Sequence, residues 1–258
     1  ADKSYIETFR EQQHYLDYLG MKVSLDKNDC SSIKVAVDPL FGTARDYIDK
    51  FIFDNGCIVY TIHNFRDPYF GGYSPEVSED NLDDLKKLVI DKECDLGIAM
   101  DADADRFAII NDRGEYASCN LISALILDYL ISTQRVTKCI GRSVSTTHLL
   151  DKIAQYHNMN IVETPVGFKY LAQLLKRKEI EFAAEESGGF SIKEHIPEKD
   201  GILASLLVIE IISKCKDKLS NLIRKLQEKY GYFYYKRIDI PATLKVKKKL
   251  MRRKRKIK

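Results

Sequence analysis

No stretch of this 258-residue sequence approaches the ~20 uncharged apolar residues that a membrane-spanning helix needs. The opening "ADKSYIETFREQQHYLDYLG" carries acids and lacks an apolar signal core. Secretion is therefore not expected, and a cytoplasmic location is. The six cysteines (Cys30, Cys57, Cys94, Cys119, Cys139 and Cys215) form no CxxC pair, and several lie inside apolar runs. Buried free thiols are expected in preference to a disulfide or zinc framework. Acid is missing from the last fourteen residues, "KVKKKLMRRKRKIK", which hold ten Lys or Arg. Removing those ten from the net charge of +3 leaves residues 1–244 at about −7. The basicity thus belongs to the tail and the body is mildly acidic. The tail has no aromatic interleaving and no nucleic-acid fold signature. It reads as a solvated end or a helix parted from its packing partner, and neither nucleic acid nor membrane is expected as a partner.

What is present fits a soluble globular chain, with 45% apolar and 31% charged residues and enough length for two domains. Strand-like and helix-like segments alternate. A helix is expected over 4–19, with apolar Tyr5, Ile6, Phe9, Leu16 and Leu19. "IKVAVDPL", "CIVYTIH", "DLGIAM" and "FAIIND" read as strands, and "EDNLDDLKKLVIDKEC" as a helix with acids in its first turn. The pattern then restarts. "NLISALILDYLISTQ", "THLLDKIAQYHN", "FKYLAQLLKRK" and the long "ILASLLVIEIISKCKDKLSNLIRKLQEKY" read as helical, while "KCIGRSVS", "NIVETPVG" and "IEFAAEES" read as strands. Two α/β units meeting near 115–118 are expected, each a three-layer α/β/α sandwich around a largely parallel sheet. The expected divisions are 1–116, 117–230 and a basic linker over 231–258. Sites in such sheets lie at the carboxyl ends of strands.

Between two of those strands stands Asp101-Ala-Asp103-Ala-Asp105-Arg106. In extended backbone, residues two apart share a side, so Asp101, Asp103 and Asp105 are expected to converge. Three adjacent anions repel unless a cation joins them, and oxygen-only ligation suits a hard ion such as Mg²⁺. Arg106 adds a fixed cation for a phosphate oxygen or a carboxylate. An EF-hand is not expected, because its sixth position requires Gly and Arg106 stands there. A solvated acidic turn and a glycosyltransferase-type DxD loop are the alternatives.

"GIAMDADADRFAIIND" resembles the metal-binding loop of the α-D-phosphohexomutases, the phosphoglucomutase and phosphomannomutase family. "VDPLFGTARDY", "GGYSPEVSEDNLDDL", "ETPVGFKYLAQLL" and "AEESGGFSIKEHIPEKDGILA" resemble further segments of its second and third domains, in order, from about residue 30 to about 230. The resemblance implies a mixed, largely parallel α/β fold of the phosphohexomutase type. It implies Mg²⁺ held by Asp101, Asp103 and Asp105 and completed by a phosphoserine, with Arg106 and Lys199 beside the transferring phosphate. Glu185 and Ser187 would read two sugar hydroxyls, and Gly167 and Lys169 would help close over the sugar. His195, in a loop near Lys199, is expected from its position to line the site. The implied substrate is a hexose phosphate, of glucose or mannose, with a hexose 1,6-bisphosphate as intermediate.

The phosphoserine loop of the first domain, of Thr-Ala-Ser-His-Asn-Pro type, has no counterpart here, nor has the phosphate-gripping loop of the fourth. The chain is expected to represent the middle two domains and to be nearly inactive alone. A non-catalytic sugar-phosphate and metal-binding remnant, or one subunit of a split enzyme, is the alternative. The DxD glycosyltransferase reading leaves "EESGG" and "EKDG" unexplained.

Overall fold

The computed structural model describes residues 11–236, 238 and 240–254. The chain opens with α1 (Gln12–Gly20), which buries Leu16 and Leu19. The Tyr5, Ile6 and Phe9 positions of the expected opening helix lie outside the described residues. The short α2 (Lys27–Cys30) starts where the Asp26 carboxylate accepts the N–H of Asn28 at 2.8 Å, capping orphan donors. There follow β1 (Lys34–Asp38), α3 (Ile48–Asp54), β2 (Ile58–Thr61), α4 (Asp83–Asp91), β3 (Leu96–Met100), β4 (Phe107–Asn111) and β5 (Tyr116–Ala117).

These strands form one sheet in the order β2-β1-β3-β4-β5. β1 runs parallel to β2 and β3, whereas β3–β4 and β4–β5 are antiparallel. Alternation sets the two faces: Val35, Val37, Ile98, Phe107 and Ile109 enter one apolar cluster, while Ala36, Ala99, Ala108 and Ile110 enter another with Leu85 and Val89 of α4.

The second half comprises α5 (Cys119–Ser132), β6 (Cys139–Ser143), α6 (Leu149–Tyr156), β7 (Asn160–Thr164), α7 (Phe168–Lys176), β8 (Phe182–Ala184), β9 (Phe190–Ile192), α8 (Gly201–Cys215) and α9 (Leu219–Tyr230). Its sheet has the order β7-β6-β8-β9, with only β8–β9 antiparallel. Helix α7 covers one face through Phe168, Leu171 and Leu175. Helices α5 and α8 are apolar nearly all round and accordingly buried. Helix α8 packs on β3 and β4 of the first sheet as well as on β9 of the second. One apolar cluster therefore runs from Val35 through α8 to Phe190.

The long helical region expected over 202–230 is two helices. Lys216 takes a left-handed conformation, φ 50°, which ends α8 and turns the chain into α9. The basic tail forms α10 (Leu244–Lys254), whose described side chains are exposed. Cys30, Cys57, Cys94 and Cys119 are free and buried, Cys139 is half-buried, and Cys215 is exposed. Among the described residues no helix is long and apolar enough to cross a membrane.

Candidate metal and sugar-phosphate site

Asp101 to Arg106 connect antiparallel β3 and β4, so the aspartates sit on a hairpin connection rather than on extended backbone. The Ala104 N–H donates to the Asp101 carbonyl at 3.1 Å, and Ala104 turns left-handed at φ 60°. Convergence through strand alternation is thus corrected: the turn gathers the carboxylates, and one oxygen from each of Asp101, Asp103 and Asp105 lies within 4.8 Å of the others.

Neighbouring backbone fixes this turn from three directions. The Ala102 N–H donates to the Pro75 carbonyl at 3.2 Å, and the Thr43 N–H donates to the Ala102 carbonyl at 2.9 Å. Gly42 allows that approach, since a Cβ there would stand 2.8 Å from the Ala102 oxygen. From the second sheet's side, the Gly201 N–H donates to the Ala104 carbonyl at 3.1 Å.

Asp101 is buried, and its Oδ1 accepts the Arg106 N–H at 3.0 Å. Its Oδ2 lies 2.9 Å from Arg106 Nε but out of line for a hydrogen bond, and is left as a buried oxygen without a hydrogen-bonding partner. Burial pushes the Asp101 carboxyl up to about 6; Asp105 and Asp103 add to this, against the N–H and charge of Arg106. Asp103 is exposed, and among the described residues it has no hydrogen bond or ion pair. A buried orphan oxygen, a carboxyl resisting ionisation and a three-oxygen cluster together fit a hard divalent cation.

Arg106 also pairs with Glu76 at 2.9 Å and approaches Asp105 at 3.4 Å. Glu76 is a participant that sequence reasoning missed, although its segment, "SPEV", is part of the resemblance. Lys199 pairs with Asp105 Oδ2, linking the loop before α8 to the hairpin. A cavity of about 290 Å³ opens beside this pair, lined by Tyr15, Thr43, Tyr47, Asp103, Asp105 and Lys199. The two tyrosines and Thr43 are further contributors that no motif marked. A larger cavity, about 390 Å³, borders Ile33 and Asp95, which precede β1 and β3, so it lies at the opposite ends of the strands from the hairpin.

Glu185 follows β8 and is buried. Its Oε1 accepts the Gly167 N–H at 2.9 Å, tying the turn after β7 to the turn after β8. Burial raises its pKa, with Glu186 and Asp105 adding and the Gly167 N–H and Lys199 opposing. Ser187 lines a recess of about 200 Å³ with Glu76, Arg106 and Glu186. Gly167, at φ 124°, begins α7, and Lys169 is exposed on its first turn with its ammonium 5.1 Å from the Tyr170 ring centroid.

His195, expected to line the site, is placed elsewhere. Its side chain is wholly buried, with Nε2 2.8 Å from Asp200 Oδ2 and the ring stacked on Tyr18 at 5.5 Å. Asp200 also takes the Tyr15 hydroxyl at 2.8 Å and caps α8 through the Leu203 N–H at 2.9 Å. The imidazole therefore braces the start of α8 rather than facing a ligand.

The fold and site define a protein with two mixed α/β sheets and a three-carboxylate hairpin at strand ends. Family models describing phosphoglucomutase/phosphomannomutase α/β/α domains II and III match residues 13–114 and 119–230 respectively. The chain belongs to the phosphoglucomutase/phosphomannomutase family. A phosphoglucomutase of Komagataeibacter xylinus is 28% identical over 243 residues, covering 88% of this chain and 44% of that protein. A phosphoglucomutase/phosphomannomutase of Thermococcus kodakarensis is 29% identical over 218 residues, covering 84% and 48%. This chain thus spans less than half the length of either relative. A Thermus thermophilus crystal structure described as a phosphomannomutase superposes with a TM-score of 0.84 at 24% identity, covering 92% of this chain and 55% of that one.

Proposed function

We propose that this chain supplies the metal-binding and sugar-reading parts of a phosphohexomutase. The reaction is interconversion of hexose 1-phosphate and hexose 6-phosphate through a phosphoserine and a hexose 1,6-bisphosphate. One observation carries the reading: Lys199 stands between the aspartate hairpin and the Glu185 turn. Its Nζ pairs with Asp105, and a Cβ added at Gly189 would meet both Lys199 Cδ, at 2.8 Å, and Glu185 Oε2, at 3.2 Å.

In this reading Asp101, Asp103 and Asp105 hold Mg²⁺, which would neutralise charge on a transferring phosphoryl group. Arg106 and Lys199 orient phosphate oxygens by charge-assisted hydrogen bonds. Glu185 accepts from sugar hydroxyls, with Ser187 as its partner, and the Gly167 N–H keeps the carboxylate aimed. Gluco- and manno-sugars share the hydroxyls this turn is proposed to read, so both phosphates are proposed substrates. Lys169 would close over the sugar from the rim. Free thiols suit a reducing cytoplasmic setting.

The 258 residues contain no phosphoserine loop, so the transferring serine would come from other sequence, in a longer form of this chain or in a partner chain. The test is calorimetry with MnCl₂ and glucose 1-phosphate, beside a mutase assay. The expected result is metal and sugar-phosphate binding without measurable turnover. Asp103→Ala should abolish the first, and Glu185→Gln should weaken the second about tenfold, the loss of one charge-assisted hydrogen bond. Turnover by this chain alone, or binding indifferent to both substitutions, contradicts the reading.

A further inference from the structure

We infer that Lys199 is a built-in counter-ion of the aspartate hairpin, which a divalent cation must displace from Asp105. The inference rests on the metal-binding reading above and concerns how that site is regulated.

The three carboxylates are unequally served. Asp101 shares the Arg106 guanidinium, its Oδ2 lying 2.9 Å from Nε without a hydrogen bond, and Asp103 has no hydrogen bond or ion pair among the described residues. Asp105 has a cation at each oxygen: Arg106 Nε lies 3.4 Å from Oδ1, and Lys199 Nζ pairs with Oδ2.

The lysine is delivered there by backbone rather than by chance rotamer choice. The residue after it, Asp200, donates its N–H to the Phe190 carbonyl at 2.9 Å, and Gly201 donates to Ala104 at 3.1 Å. The Lys199 stem crosses Gly189, where a Cβ would stand 2.8 Å from its Cδ and 3.2 Å from its Cγ. The ammonium therefore has a short arc to move in, ending at the hairpin.

Two positive groups then compete for one carboxylate, that of Asp105. A divalent ion that takes Asp105 breaks the lysine pair and leaves the ammonium next to a doubly charged neighbour, so bare metal binding is weakened by Lys199. The freed ammonium is left beside the cluster, where an anionic ligand would receive it. Metal binding and readiness for phosphate become linked through one side chain that belongs to the other sheet's loop.

The experiment is calorimetric titration of the 258-residue protein with MnCl₂ at low ionic strength, without any phosphate. Lys199→Met and Lys199→Gln should each bind the ion about threefold tighter than the unaltered protein, the scale of a part-exposed ion pair. Lys199→Arg, which keeps the charge, should not. The gain should shrink as salt is added. Equal or weaker binding by both uncharged variants, with thermal melts showing them folded, overturns the inference while leaving the metal site standing. No Mn²⁺ binding by the unaltered protein removes the metal reading and this inference with it.

Discussion

The Gly201 N–H donates to the Ala104 carbonyl at 3.1 Å, and this contact seats the start of α8 directly on the aspartate hairpin. There is no room for a side chain between them. A Cβ at Gly201 would lie 2.8 Å from the backbone carbon and oxygen of Arg106 and 3.0 Å from the Ala104 oxygen. Backbone atoms cannot swing aside as a flexible side chain can. Gly201→Ala should therefore cost about 1–3 kcal/mol, as overpacking does, and loosen Mn²⁺ binding as the hairpin shifts. Chemical denaturation and calorimetry read the two effects. Gly20→Ala, whose Cβ would meet nothing nearer than Phe51 at 4.0 Å, should be tolerated and serves as the comparison.

A second prediction concerns pH. Asp38, at the carboxyl end of β1, is fully buried and accepts from Leu40 N–H at 2.8 Å, with His63 Nδ1 at 3.0 Å. Burial raises its pKa, outweighing the pull of His63 and the Leu40 N–H. The folded carboxyl thus holds its proton more tightly than the unfolded chain does. Ionising it costs the folded state, and that cost grows as pH rises above the unfolded carboxylate value of about 4. Asp38→Asn keeps an acceptor for Leu40 and removes the charge. The variant should gain stability relative to the unaltered protein as pH rises above about 4, read as a difference in urea midpoints that widens and then levels off once the folded carboxyl has ionised. A difference that does not change on going up from about pH 4 would be inconsistent with the burial effect.

Stability should also respond to the Arg142 cluster, which stands beside the Glu185 turn but away from the aspartate hairpin. This buried guanidinium on β6 makes bonds to Asp151 at 2.6 and 2.9 Å and to Glu163 at 2.8 Å. Its side chain is 3% exposed, against 49% for Glu163. Asp151→Ala would strip the bidentate partner from a buried cation and should cost about 3 kcal/mol. Glu163→Ala removes a half-exposed partner and should cost about 1 kcal/mol or less. Neither should change Mn²⁺ affinity, because no Arg142 contact reaches the hairpin. Equal losses at the two positions would contradict this assignment.

Some of this architecture was legible and some was hidden, for physical reasons. Strands β1, β3 and β4 announce themselves as short apolar-rich runs closed by turn residues, and all are largely buried. The spacing of Asp101, Asp103 and Asp105 pointed to a cation site, yet the reason for their convergence was misjudged. The connection from Asp101 to Arg106 is too short for a parallel crossover, so the antiparallel pairing of β3 and β4 could have been read from it, whereas Ala104 gives no sign of its left-handed turn. The break between α8 and α9 was equally silent. Lys214, Cys215, Lys216 and Asp217 read as a helix surface, with no Gly or Pro to mark the end. Strand β9 spans three residues inside a loop, too short to show a period. The long-range partners Glu76, Tyr15 and Tyr47 were invisible because they reach the site only through packing. His195 shows the reverse error: a histidine near a site lysine suggests chemistry, but its neighbours Asp200 and Tyr18 enclose it.

The most direct test of the central claim is an anomalous difference map from crystals of this protein soaked in MnCl₂. The predicted result is a strong peak at the hairpin, touching carboxylate oxygens of Asp101, Asp103 and Asp105, and absent from Asp103→Ala crystals. A map with no peak at the hairpin under conditions that saturate binding, or with its only peak elsewhere, would contradict the account.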